Sequence, residues 1–144
     1  MRVVSRHIFL IGTLGLTGCV PFPNLRYYAP AVSGIVMQDG KPAAGVEIRV
    51  SAHFANEVRA AIAASDGRFN TDSIRKLLTA TLVGDPLYGY TVEIRNACNV
   101  YSGFVDFSVG HAPSAIQLNC DLSRPVGRVG HQVYCTASDD RASS

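Results

Sequence analysis

The chain has 144 residues, with 13 basic and 11 acidic side chains and a formal net charge of +2. This length suffices for one domain around one core and is too short for two. Arg2 and Arg6 precede the first apolar segment, so 13 − 2 = 11 basic residues face 11 acidic ones in the remainder. Because no run of lysine or arginine occurs there, the composition excludes nucleic-acid binding through phosphate neutralisation.

The first 19 residues have the layout of an export signal. Arg2 and Arg6 are followed by an apolar stretch at residues 8–16, which ends in Leu16-Thr17-Gly18-Cys19. This stretch is shorter than the roughly 20 residues that a spanning helix needs. Its charged, apolar and small-residue parts stand in the order of a signal peptide. The cleavage residues resemble the lipobox of bacterial lipoproteins.

That resemblance implies that residues 1–18 are removed as a lipoprotein signal peptide and that Cys19 becomes the lipidated first residue. Two or three acyl chains hold a protein on a bilayer, at about 0.8 kcal/mol per buried CH₂. Val20 is not the aspartate that retains lipoproteins in the inner membrane of enteric bacteria. We therefore expect a lipid-anchored protein of the bacterial cell envelope, on the periplasmic face of the outer membrane in a Gram-negative host.

Residues 19–30 predict a tether between the lipidated cysteine and a folded body. Pro21, Pro23 and Pro30 fall within ten residues. Because proline cannot enter a helix interior or a central strand, we expect an extended linker. The aromatic side chains of this segment, Phe22, Tyr27 and Tyr28, are expected to dock on the body, with the lipid interface as the alternative.

Residues 31–122 predict an all-β domain, because apolar side chains recur with a period of two. Val32 and Val36 begin the pattern, and Asp39-Gly40 is suited to a tight hairpin. Further strands are predicted over 46–50, 56–64, 79–83, 88–95, 103–109 and 114–119. Alanines at 56–64 would also suit a helix, and residues 71–78 predict one short helical turn capped by Thr71 or Asp72. Turn signals every 8–12 residues favour an antiparallel β-sandwich.

Residues 123–144 lose this periodicity and predict a poorly ordered C-terminal tail. Three cysteines follow the anchor, and an oxidising compartment favours one bridge with one cysteine left over. We predict a Cys98–Cys120 disulfide, since each cysteine ends a strand-like run, with Cys135 free or paired with another molecule. There is no Cys-x-x-Cys, and His131 is the histidine nearest Cys135, so we expect no metal site.

Three segments resemble the carboxypeptidase regulatory-like domain. They are Ser33-Gly34-Ile35-Val36, residues 39–46 (Asp-Gly-Lys-Pro-Ala-Ala-Gly-Val) and Ser65-Asp66-Gly67-Arg68-Phe69. The resemblance implies a transthyretin-like (prealbumin-type, Ig-like) antiparallel β-sandwich. It departs from the family at Asp66, which adjoins Gly67, whereas the family's acidic residue stands two or three residues before the glycine.

The residues that carry the resemblance are turn and packing residues, with no chemistry of their own. Gly40 and Gly67 are expected to supply hairpin turns, and Gly45 a close approach of two strands or sheets. The complete set of motif residues is Gly34, Asp39, Gly40, Pro42, Gly45, Asp66, Gly67 and Phe69.

The sequence predicts no catalytic residues and no cofactor. Gly40-Lys41-Pro42-Ala43 matches a segment of hydroxyisourate hydrolases, but the further histidine and arginine residues and the C-terminal Tyr-Arg-Gly-Ser of those enzymes are missing. We expect structural or solvent roles for His53, His111 and His131. The predicted function is a non-catalytic binding or scaffold module for an unknown envelope protein. A secretion-system lipoprotein, an immunity-type periplasmic lipoprotein and a hydroxyisourate-type hydrolase stay open as alternatives.

Overall fold

The computed structural model describes residues 24–78, 85–127 and 132–138, which form eleven β-strands. The all-β class predicted from the sequence is confirmed, and these residues contain no helix, hence none that could cross a membrane. The strands are β1 (Asn24–Ala29), β2 (Ala31–Gln38), β3 (Lys41–Pro42), β4 (Glu47–Ala52), β5 (Glu57–Ile62), β6 (Arg68–Thr71), β7 (Ile74–Leu78), β8 (Leu87–Asn96), β9 (Asn99–Val109), β10 (Ala115–Asp121) and β11 (Cys135–Ser138).

The strands pack as two layers of a sandwich. One layer has the order β5-β4-β8-β9, and all of its pairs are antiparallel. The other has the order β11-β10-β2, with β3 and β6 on the far side of β2. There β2 and β10 run parallel, from the pair Ala31 and Ala115 to the pair Met37 and Asp121. This second layer is therefore mixed, whereas the sequence had predicted antiparallel strands throughout.

The alternating residues of the predicted strands form the core. Val32 and Val36 of β2 are fully buried, as are Ile48 and Val50 of β4. Val92 and Ile94 lie opposite Val50 and Ile48 across the β4–β8 pair and are also buried. Burial of such side chains contributes roughly 1.5–3 kcal/mol each, which makes this row the main source of cohesion between the layers.

Residues 24–30, predicted as part of a tether, belong to the folded body. β1 pairs with β7, and Ala29 lies opposite Ile74. In the β2–β6 pair, Val32 lies opposite Thr71. Val32 follows Ala29 by three residues and Thr71 precedes Ile74 by three, so the two pairs share one register. The β1–β7 pair thus continues the β2–β6 ladder past Pro30, which cannot donate a backbone hydrogen bond. Because Tyr28, Ala29 and Pro30 are all buried, the body includes residues 24–30, which the sequence had assigned to a tether.

Two local predictions have opposite outcomes. The alanine-containing segment 56–64 holds strand β5, so the preference for strand over helix is confirmed. The helical turn predicted over 71–78 is wrong, because Ile74–Leu78 is strand β7. Its pairing with β1, about fifty residues earlier, overrides the local helix signal of Thr71 and Asp72. The strand predicted at 79–83 lies outside the described residues.

The predicted Cys98–Cys120 disulfide is also wrong. Cys120 is bonded to Cys135, while Cys98 is an exposed free thiol in the β8–β9 turn. Cys120 and Cys135 lie opposite each other on β10 and β11, so the bridge crosses one ladder. The sequence placed Cys135 in a disordered tail, yet residues 135–138 form an edge strand that β10 and the disulfide hold in place.

We predict that the disulfide stabilises the body substantially. Replacing both Cys120 and Cys135 by serine should lower the free energy of unfolding by about 3 kcal/mol, because the bridge closes a short loop in the unfolded chain. Urea titration without reductant measures the change. Cys98→Ser is the matched control and should leave the unfolding midpoint unchanged; the opposite ranking would contradict the observed pairing.

Candidate functional site

The motif segments of the predicted regulatory-like domain converge on β2. Gly34 lies opposite Phe69 in the β2–β6 pair, and a Cβ atom on Gly34 would collide with the backbone carbonyl of Leu118 on β10. A Cβ on Gly67 would lie 2.5 Å from the carbonyl oxygen of Val36 and 3.2 Å from the Cβ of Pro42. Missing side chains thus let strands and turns approach β2 closely, which is a packing role.

The turn residues of the motif behave partly as predicted. Asp39 and Gly40 both have positive φ, 51° and 72°, and join β2 to β3 in a two-residue hairpin, as expected. Gly67 also has a positive φ, but its turn links strands β5 and β6 of different layers. The expected close approach at Gly45 is wrong: its φ is 75° and nothing lies within 4 Å of a Cβ there, so the backbone conformation is what favours glycine.

Hydrogen bonds hold both acidic residues of the motif at their turns. The Asp39 backbone N–H donates to Ser123 Oγ at 2.5 Å, and that hydroxyl donates back to the Asp39 carboxylate at 3.0 Å. The Asp66 carboxylate accepts the Arg68 backbone N–H at 3.1 Å. The Asp66 carboxylate therefore serves the backbone of its own turn, whereas the Asp39 carboxylate fixes the β2–β3 hairpin to Ser123, which follows β10. Cys19, the predicted lipidation site, lies outside the described residues, and its lipidation stays a prediction.

The histidines are separated from the hydrolase-like segment. His53 follows the end of β4, where its backbone N–H donates to Gly89 at 2.9 Å and its ring lies 4.9 Å from that of Phe107. Residues 40–43 precede the other end of the six-residue strand β4, roughly 20 Å away at the rise of a strand. His111 is exposed and follows β9, and His131 lies outside the described residues. A hydroxyisourate-type set is not assembled from His53 and residues 40–43.

The carboxyl group of Glu57 has a lowered pKa. The Lys76 ammonium, 3.1 Å from Glu57, donates a hydrogen bond to its carboxylate and, together with Arg59 at 3.2 Å, lowers the pKa of Glu57 below its usual value. The Glu57 carboxylate is open to water, and its ion pair with Lys76 joins strand β5 to strand β7. Among the described residues, no three His, Cys, Asp or Glu side chains cluster as metal ligands would.

We predict a weak acid-dependent loss of stability through Glu57. Because the folded-state pKa of Glu57 is depressed, its ion pair stabilises the fold above the unfolded pKa, about 4.3, and is lost as pH falls through the lower folded value. When the pH is lowered from neutral to values below that range, the urea midpoint should therefore fall less in Glu57→Gln than in the unaltered protein. Asp72→Asn, at an exposed site, is the control; an equally reduced fall in that variant would contradict the assignment.

An open cleft of about 520 Å³ lies at one edge of the sandwich. Phe104 and Asp106 of β9 form one wall, and Ile116 of β10 belongs to the other. The Asp106 carboxylate accepts a hydrogen bond from Tyr88 Oη at 3.1 Å, which fixes it at the rim of the core. The remaining lining residues are Ser33, Tyr90, Pro113, Ala115, Gln117, Ala137 and Ser138.

Sequence reasoning did not find this cleft. The place of Asp106 on the inner face of β9 depends on a register shift between Val92 and Glu93, which the sequence pattern does not reveal. The other wall depends on the parallel β2–β10 pairing and on β11, neither of which was predicted. An alternating run in which one inward position is acidic, as in Phe104-Val105-Asp106, is the signal that could have indicated it.

A second feature is the distribution of exposed apolar side chains. Leu25, Leu77, Leu87, Phe107 and Val109 are all exposed, although each belongs to a strand. Isolated exposed apolar residues are ordinary, but grouped ones mark interaction surfaces. These residues belong to β1, β7, β8 and β9, near the strand ends.

Comparison of the chain with models of known families, with curated proteins and with solved structures finds no match.

Proposed function

We propose that this protein is a lipoprotein of the bacterial cell envelope, anchored through an acylated Cys19, whose β-sandwich is a non-catalytic binding or scaffold module. The observation that carries the proposal is the spacing of two features. Cys19, at the end of Leu16-Thr17-Gly18-Cys19, stands only five residues before Asn24, the first residue of strand β1. In a Gram-negative host this body faces the periplasm from the outer membrane.

We further propose that the sandwich is of the transthyretin-like type. Two features support this reading. The three segments that resemble the regulatory-like domain meet on β2, with Gly34 opposite Phe69 and Gly67 against Val36. The Asp39-Gly40 hairpin provides the turn that the resemblance requires. In this reading the motif residues shape the scaffold, and binding belongs to surfaces elsewhere on it.

The cleft between β9 and β10 is the proposed binding surface for a protein partner. Phe104, Ile116 and Pro113 offer apolar surface, while Gln117 and Ser33 offer hydrogen-bonding groups. Such mixtures of apolar walls with a few fixed polar groups are typical of binding sites. Asp106, already oriented by Tyr88, adds a negative charge. The chemistry suits an extended segment of an envelope protein that carries apolar side chains and one basic residue.

Lipidation is the first part of the proposal to be tested. In cells fed radiolabelled palmitate, the full chain should incorporate label and fractionate with membranes, whereas Cys19→Ala should do neither, because the acylated sulfur is missing. Cys98→Ser is the matched control, since it removes another exposed thiol and leaves the anchor. Labelled, membrane-bound Cys19→Ala protein would refute the anchor.

Partner binding through the cleft is tested by photo-crosslinking in cells. A photoreactive residue at Gln117, in the cleft, should give a discrete adduct with one envelope protein, while the same residue at Ile62, on an exposed face of β5, should not. Asp106→Asn should weaken the Gln117 adduct roughly tenfold, because it removes a charge at a buried contact, and Asp72→Asn should not. Equal adducts from Gln117 and Ile62 would rule out the cleft as the binding surface.

A further inference from the structure

We propose that the end of the sandwich at which β1 begins docks on the surface of a phospholipid bilayer. We call it the β1 end. This inference rests on the proposed acylation of Cys19 and deepens it, because it assigns an orientation to the anchored body. The exposed apolar residues of the β1 end are Leu25, Phe54, Leu77, Leu87, Phe107 and Val109.

Direct contacts bring these residues to one end of the molecule. Leu25 of β1 lies opposite Leu77 of β7. The Arg26 guanidinium, next to Leu25, donates to the carbonyl oxygen of Leu87 at 2.6 Å. Leu87 in turn lies opposite Val109, the terminal pair of β8 and β9. The exposed leucines of both layers are therefore neighbours around this end.

The turn between β4 and β5 completes the group. Phe54 is exposed in this turn, and the next residue, Ala55, accepts a hydrogen bond from Lys76 Nζ of β7 at 3.1 Å. On the other side of Phe54, the His53 ring lies 4.9 Å from the ring of Phe107 on β9. Contacts thus run around the β1 end from β1 and β7 through this turn to β9.

The length of chain before β1 selects the bilayer as the occupant. Asn24 stands five residues after Cys19, and five extended residues span roughly 17 Å at most. An acylated Cys19 therefore keeps the β1 end close to the lipid headgroups. The opposite end, where Cys98 lies, is separated from it by the ten-residue strand β8, roughly 33 Å long. A protein partner would have no such reason to meet this end.

The order of side chains along β1 and β7 fits the layers of a membrane interface. The apolar pair Leu25 and Leu77 stands next to the terminal pair Asn24 and Leu78, and the pair Tyr27 and Arg75 follows two residues, about 7 Å, further back. Apolar groups at the acyl boundary with tyrosine and arginine at headgroup level are the composition of interfacial anchors. The exposed carboxylate of Asp85, two residues before Leu87, limits the depth to that boundary, because it must stay hydrated.

Depth-dependent quenching tests the docked orientation. The lipidated protein is reconstituted into vesicles of phosphatidylethanolamine and phosphatidylglycerol that contain nitroxide-labelled lipid. A fluorophore is attached at Leu87→Cys in a Cys98→Ser background, with Ile62→Cys in the same background as control. Ile62 is 63 % exposed, at the far end of β5, the edge strand of the layer that also contains β8. We expect quenching at position 87 to be at least threefold that at position 62, and a probe on native Cys98 to resemble position 62.

A pair of variants tests the leucines themselves. Leu25→Ser combined with Leu77→Ser should reduce quenching at position 87 by half or more, because the docked state loses apolar burial. Ile62→Ser combined with Val100→Ser, which removes 63 % and 62 % exposed side chains at the far end, should leave it unchanged. Circular dichroism is the check that both variants keep the β-fold.

The outcomes separate the two proposals. If the protein carries no acyl chain and does not float with vesicles, both the anchor and the docking are overturned. If it floats but quenching is equal at positions 87 and 62, or is unchanged in the Leu25/Leu77 variant, the anchor stands and docking of the β1 end is wrong.

Discussion

The contact between β2 and β10 is the constraint on which the rest of the fold depends. β2 is bonded on one side to β10 in parallel and on the other to β6 and β3, so it holds one layer together. The parallel pairing requires a backbone separation that Gly34 permits, because any side chain there would strike Leu118. β10 then supports β11, and β11 brings Cys135 to Cys120. The edge of the sandwich that forms the cleft thus follows from one position without a side chain.

Contacts between β9 and the segment that holds Cys135 join the two layers at that edge. A Cβ on Gly103 of β9 would lie 3.1 Å from the Cys135 sulfur, so the disulfide of one layer rests on a bare backbone position of the other. The backbone N–H of Tyr134 donates to Ser102 at 2.9 Å beside it. The cleft wall at Asp106 lies a few residues further along β9. The contact between Gly103 and the disulfide therefore holds the two layers together beside the cleft.

The sequence predicted features that depend on local pattern. Val32 and Val36, like Ile48 and Val50, share one face because the pleat of a strand turns every second side chain to the same side. Asp39-Gly40 was predicted because both residue types tolerate the positive φ values of a tight hairpin. Features that depend on distant partners were missed. Residues 71–78 predict a helical turn when they are considered alone, and the pairing with β1 makes 74–78 a strand. Cys135 lies in a polar segment of the sequence, and the pairing of β11 with β10 places it opposite Cys120. The cleft and the β1 end arise only when several strands meet, so no single segment carries their signal.

The covalent closure of β11 has a consequence for where the fold can be completed. β11 pairs with β10 over four residues, and the other described strand bonded to β10 is β2. In a reducing compartment Cys120 and Cys135 would be thiols, and this short edge strand would be held by its few hydrogen bonds alone. An unprotected β10 would then offer its free edge to any other extended chain. The edge strand β11 is therefore held covalently only in a compartment in which the Cys120–Cys135 disulfide survives.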